Sequence, residues 1–177
     1  MTRRVLVLGG ARSGKSRFAE SLLADEPSVD YVATAVAADD DAEWSARIRA
    51  HQERRPPQWQ TVETADVAGV LGTDGPAVLI DSITAWVVRT LDQCGGWVGA
   101  AAELPAAYAQ RAEELCSRWA GTPRRVVAVS DEVGGGVVPA STSGRIFRDA
   151  LGLLNQQLAA AADEVHLVVA GIPLQLR

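Results

Sequence analysis

Gly9-Gly10-Ala11-Arg12-Ser13-Gly14-Lys15-Ser16 has the spacing of a phosphate-binding loop: a glycine, four residues, then Gly-Lys-Ser. The flanking residues fit that reading. Val5-Leu6-Val7-Leu8 is a short apolar run suited to a buried parallel strand, and from Ser16 the apolar residues Phe18, Ala19, Leu22 and Leu23 recur at helical spacing. Glycines let backbone N–H groups close around a phosphate chain, and the start of a helix adds partial positive charge. In such a loop Lys15 reaches the β- and γ-phosphates, while the Ser16 hydroxyl ligates Mg²⁺. The plainer alternative is a glycine turn between a strand and a helix.

The chain has 177 residues, enough for one domain, residues 1–177, with a real core. Apolar residues make up 47% and charged residues 22%, as in an ordinary globular protein. A net charge of −5 argues against a general nucleic-acid binder. Cys94 and Cys116 form no CxxC pair, and His51 and His166 are the only imidazoles. That set suggests two buried reduced thiols rather than a structural zinc site. Only four apolar residues separate Arg3-Arg4 from the first glycine, so no signal peptide is expected. No apolar run is long enough to cross a bilayer, and the expected location is the cytoplasm.

Strand-like and helix-like runs alternate. Strands are predicted at Val29–Ala33, Trp59–Val62, Val78–Ile80, Val126–Val129 and Val165–Val169, with a short edge strand at Leu174–Leu176. Helical spacing is seen over Asp40–Arg54, Val67–Leu71, Ile83–Leu91, Pro105–Trp119 and Ser143–Ala162. In the fourth of these, Ala109, Ala112, Leu115, Cys116 and Trp119 are expected to face inward. Such an order implies an α/β fold, a mostly parallel sheet with helices on both faces. Ligands of such folds bind beyond the carboxyl ends of the strands. The residues just after each strand are therefore the ones to inspect.

Asp81 follows the strand Val78-Leu79-Ile80. A carboxylate there can hold Mg²⁺ opposite the phosphate loop, or it can cap the next helix. Ser82 follows where many motor-type ATPases carry a second acid, which disfavours vigorous hydrolysis. His51 lies among Arg47, Arg49, Arg54 and Arg55, where arginines can grip phosphate oxygens and a neutral imidazole can attack phosphorus. The other reading of His51 is a solvated surface residue. Arg145 and Arg148 stand three residues apart on one helical side, either as phosphate or substrate contacts or as a solvated face. Trp44, Trp59, Trp86, Trp97 and Trp119 read as core or oligomer contacts rather than a cofactor box.

Several motifs occur in a characteristic order. They are the loop GGARSGKS, Tyr31-Val32-Ala33-Thr34-Ala35, the Arg-Ile-x-x-His-x-x-x-Arg-Pro stretch around His51, and Asp81-Ser82-Ile83-Thr84. They continue through Ser130-Asp131-Glu132-Val133-Gly134-Gly135-Gly136-Val137-Val138-Pro139 to Arg145-Ile146-Phe147-Arg148-Asp149 and Leu154-Asn155-Gln156. Together they resemble the bifunctional adenosylcobinamide kinase / adenosylcobinamide-phosphate guanylyltransferase family of cobalamin biosynthesis, from Val5 to about Gly171. The loop alone is shared by many families. The histidine stretch and the Glu-Val-Gly-x-Gly-x-Val-Pro loop are far more specific.

The resemblance implies a RecA-like P-loop NTPase fold, a trimer, and two reactions at one nucleotide site with GTP and ATP as substrates. A nucleoside triphosphate phosphorylates the aminopropanol hydroxyl of adenosylcobinamide. GMP from GTP then passes through a histidine to the new phosphate, giving adenosyl-GDP-cobinamide and pyrophosphate. By this match His51 is the guanylylated residue, and Gly9, Gly10, Ala11, Arg12, Ser13, Gly14, Lys15 and Ser16 cradle the triphosphate. Ala33, Thr34 and Ala35 line the nucleotide site. Gln52, Glu53, Arg54, Arg55 and Glu63 contact GTP, and Asp81 lies near the metal. Asp131 stands where the family commonly has Asn, and Ser82 where it often has Cys. Two other classes stay open: a single-activity metabolite kinase, or a guanylyltransferase without the kinase step, and a nucleotide-regulated binding module.

Overall fold

Side chains alternate across a strand, so the run Val5-Leu6-Val7-Leu8 points apolar groups to both faces at once and needs cover on each. A computed structural model of the chain describes residues 3–35, 56–97 and 104–177 and shows how that cover is arranged. Seven strands form one sheet: β1 (Arg4–Gly9), β2 (Val29–Ala33), β3 (Trp59–Glu63), β4 (Ala77–Asp81), β5 (Val126–Asp131), β6 (Glu164–Val169) and β7 (Ile172–Gln175). Their spatial order is β3-β2-β4-β5-β1-β6-β7. All neighbours are parallel except β6 and β7, which run antiparallel.

The helices are α1 (Lys15–Ser21), α2 (Val67–Leu71), α3 (Ile83–Gln93), α4 (Ala106–Gly121) and α5 (Thr142–Ala161). Leu6, Ile80, Ala128 and Val165 face α2 to α5 on one side of the sheet. Val5, Val7, Leu79 and Val129 face the other side, where Ala19 of α1 and Leu23 pack on them. The expected parallel α/β architecture is therefore present, and the predicted strands and helices fall within a few residues of those observed. The expected helix over Asp40–Arg54 lies outside the described residues, as does Trp44.

Two details differ from the sequence reading. On α4 it is Tyr108 that is buried with Ala112, Leu115 and Trp119, while Ala109 is exposed and Cys116 half-buried. The inward stripe runs 108, 112, 115, 119, and Tyr108 packs obliquely against Trp86 in the core. The cysteines are free and half-buried rather than fully enclosed. Burial still pushes the Cys116 thiol up to about 11, which leaves it protonated and unreactive at neutral pH.

Polar ties hold the strand ends. Arg124, 3% exposed at its side chain, donates to the Pro76 and Val70 carbonyls at 2.7 and 3.1 Å and pairs with Asp30. One guanidinium thus joins the starts of β2, β4 and β5 to the end of α2. Arg4 pairs with Asp163 at the start of β6 and holds its carboxyl down to about 2. β6 and β7 are joined by Ala170 and Gly171 at φ 50° and 81°, a two-residue turn of the left-handed kind that matches strand twist.

Candidate active site

The carboxyl ends of β1, β2, β3, β4 and β5 lie along one edge of the sheet, and strand register decides which residues meet there. Gly9 pairs with Asp131, Ala33 pairs with both Glu63 and Asp81, and Asp81 pairs with Val129. The phosphate loop rises from β1 at this edge. Gly14 sits at φ 93° as the residue before α1, with no side chain capping the helix start. A helix start without such a cap leaves first-turn N–H groups beyond Lys15 without a capping side chain, and N–H groups there favour an anion.

Space as well as dihedral angle demands glycine. A Cβ on Gly9 would meet the Val168 carbonyl at 2.7 Å, and one on Gly14 would lie 3.2 Å from Gly171 Cα. Gly171 also donates its N–H to the Ser13 carbonyl at 2.8 Å. The β6–β7 turn therefore buttresses the loop from beneath, a role not visible in any local motif. Ser13 is buried, and its hydroxyl accepts from the Lys15 amide at 3.4 Å.

The Lys15 ammonium donates to the Gly10 carbonyl at 3.2 Å and lies 2.6 Å from Asp131 Oδ1. Asp131, not Asp81, is thus the acid in contact with the loop lysine. The strand order explains it: β5 is inserted between β1 and β4, so the acid on β4 is one strand further away. Sequence reading noted Asp131 only as a departure from a family pattern. The rule of inspecting the residue after each strand would have reached it, had β5 been extended beyond Val129 to its observed end.

Asp81 closes β4, and its carboxylate accepts from the buried Tyr31 hydroxyl. It does not cap α3. Ser82 does, accepting from the Ala85 amide at 3.2 Å, so the Asp81 carboxylate is not spent on the helix start. Thr34 is fully buried, donating from its hydroxyl to the Ser82 carbonyl at 2.6 Å and accepting from the Ser82 amide at 3.1 Å. It locks the end of β2 to the end of β4. Ala33 and Ala35 are half-buried beside it, and Glu63 is exposed at the end of β3.

His51, Gln52, Glu53, Arg54 and Arg55 lie outside the described residues. Arg145, read from sequence as a phosphate contact or a solvated group, instead donates to the Pro139 and Ala140 carbonyls at 3.0 and 2.8 Å, fastening the glycine-rich segment to α5. Arg148 lines a groove of about 850 Å³ between that segment and α5, together with Leu8, Glu132, Val133, Asn155 and Gln156. Glu132 accepts from the Gly134 and Gly135 amides, at 2.7 and 3.3 Å, and so shapes the groove wall. Trp86 and Trp119 are buried, donating to the Ala65 and Leu158 carbonyls, which makes them core residues.

A parallel sheet with β5 inserted between the loop strand β1 and β4, and a glycine loop running into a helix, define a P-loop NTPase fold. A solved ATPase from a bacterial type III secretion system shares it, with a TM-score of 0.63 at 12% identity, covering 94% of this chain and 52% of that one. Residues 5–176 match the family model described as cobinamide kinase / cobinamide phosphate guanyltransferase. The chain belongs to that family of cobalamin-biosynthesis transferases. Similar relatives include the bifunctional adenosylcobalamin biosynthesis protein CobU of Salmonella typhimurium, 43% identical, and CobP of Pseudomonas aeruginosa, 37% identical. The alignments cover 98% of this chain in both cases, and 99% and 97% of those proteins respectively.

Proposed function

We propose that the chain phosphorylates adenosylcobinamide and then guanylylates the phosphate, using one nucleotide site at the phosphate loop. In the first reaction the aminopropanol hydroxyl oxygen attacks the γ-phosphorus of a nucleoside triphosphate. The bond to the β-phosphate oxygen breaks, the diphosphate leaves, and the hydroxyl proton passes to solvent. In the second, a neutral His51 nitrogen attacks the α-phosphorus of GTP and pyrophosphate leaves. An oxygen of the corrinoid phosphate then displaces the imidazole, forming the new P–O–P bond. Two anionic phosphates repel each other, and a covalent relay divides that displacement into two easier ones.

The observation that carries this reading is the loop itself: a left-handed Gly14 opening α1, with Lys15 within it, on a chain matched by the family over residues 5–176. Lys15 and the loop amides hold the phosphates and stabilise charge on the departing group. Ser16 and Asp81 offer hard oxygen donors, a hydroxyl and a carboxylate, of the kind Mg²⁺ prefers. When bound there, Mg²⁺ would neutralise charge on the phosphate oxygens. Gln52, Glu53, Arg54, Arg55 and Glu63 are assigned to GTP, and Ala33, Thr34 and Ala35 to the wall of its site. ATP and GTP as substrates put the work in the cytoplasm, and the resemblance supports a homotrimer of single-domain chains.

Incubating the protein with adenosylcobinamide, ATP, GTP and Mg²⁺, and following the corrinoid by mass, tests the reading. The expected products are first the phosphate ester and then the GDP derivative, with pyrophosphate released only in the second stage. Phosphate ester alone would reduce the enzyme to a kinase. Triphosphate consumed with the corrinoid unchanged would contradict both steps.

A further inference from the structure

The cation that a triphosphate must reach is already held by an anion. Lys15 Nζ lies 2.6 Å from Asp131 Oδ1, with both side chains largely shielded, at 14% and 32% exposure. Asp131 is not a loosely placed residue. It ends β5 in register with Gly9, donates its N–H to Thr84 Oγ1 at 2.8 Å, and accepts at its carbonyl from Asn155 Nδ2 at 3.0 Å. Asn155 is fixed in turn by the Ser130 hydroxyl, which donates to its Oδ1 at 2.6 Å. The backbone beneath this carboxylate is therefore anchored from both α3 and α5, on a strand directly beside the loop strand.

We propose that Asp131 is a resident counter-ion of Lys15, so that filling the phosphate loop exchanges one anion for another and Asp131 sets the affinity of the nucleotide site. The inference rests on reading the loop as a triphosphate site. An incoming β- or γ-phosphate must share or displace the Asp131 carboxylate at the ammonium, and the two anions repel each other at close range. The carboxylate therefore weakens the grip on any group whose phosphates reach Lys15. It also gives the lysine a partner to return to when pyrophosphate or a diphosphate leaves, which favours product release. An enzyme that empties and refills one nucleotide site between two transfers gains from that.

The test is Asp131→Asn, which keeps the shape and both backbone hydrogen bonds while removing the charge. Calorimetric titrations use three probes in Mg²⁺: the GTP analogue with an α,β-methylene bridge, which attack at the α-phosphorus cannot cleave, inorganic pyrophosphate, and GMP. The first two are expected to bind about two- to tenfold more tightly to Asp131→Asn than to the unaltered enzyme. GMP, whose single phosphate does not extend to Lys15, is expected to change little. The KM for GTP should fall with the dissociation constant, and Asp131→Ala should move in the same direction. Weaker binding of the analogue, as loss of a metal ligand would give, overturns the proposal, as does an equal shift for all three probes or none for any. If neither form binds the analogue at millimolar concentration, the triphosphate reading of the loop fails, and the exchange fails with it.

Discussion

Lys15→Ala is expected to lower both corrinoid phosphorylation and pyrophosphate release by at least about a hundredfold. The side chain's partners are the Gly10 carbonyl and the Asp131 carboxylate, both at the mouth of the loop and neither part of the apolar core. The melting temperature should therefore stay near that of the unaltered protein while activity collapses. With one proposed triphosphate grip serving both reactions, the two activities should fall together. Lys15→Arg should not restore them, since a planar guanidinium cannot place its donors where a compact ammonium sits. Rates of phosphorylation and pyrophosphate release, measured separately, check this. Activity within a few fold of normal would mean the loop does not carry the phosphate.

Arg124→Ala acts in the opposite sense, on stability and not on chemistry. The guanidinium is buried at the amino ends of the strands, across the sheet from the site, and spends its donors on Pro76, Val70 and Asp30. Truncation leaves a largely enclosed Asp30 carboxylate without its partner and two carbonyls without this donor. Losing one member of a buried charge pair costs about 3–5 kcal/mol. That is a large share of the roughly 5–15 kcal/mol by which a domain of this size is stable. Urea unfolding should show the midpoint falling sharply, while kcat per folded molecule stays the same. A loss below about 1 kcal/mol would show that Arg124 is not a structural tie, because that is the range of an exposed pair.

The same residues show what could be seen in the sequence. The loop, its strand and its helix were legible because glycine spacing and apolar periodicity are local properties. Asp81 was legible as the residue at a strand end, and its competing reading as a helix cap fell only when Ser82 was seen accepting from Ala85. Arg124 was not legible, since an arginine beside Arg125 in sequence looks like a surface charge. Its partners lie 48, 54 and 94 residues away. The Lys15–Asp131 pair and the seat that Gly171 gives the loop depend on which strands neighbour β1, a long-range fact that no window of sequence contains. Arg145 misled for a related reason: its hydrogen bonds go to carbonyls of its own preceding loop, which a helical face count does not register.

Intact-protein mass measurement after incubation with GTP and Mg²⁺ tests most directly whether this enzyme works through a covalent nucleotide. The expected result is a gain of one GMP, stable in base and lost in acid as a phosphorus–nitrogen bond should be. The adduct should be absent in His51→Ala and discharged by corrinoid phosphate. Formation should decline as the pH drops through the imidazole pKa, because only the neutral ring attacks. An unmodified protein at saturating GTP, or an adduct that persists in His51→Ala, would contradict the two-step transfer.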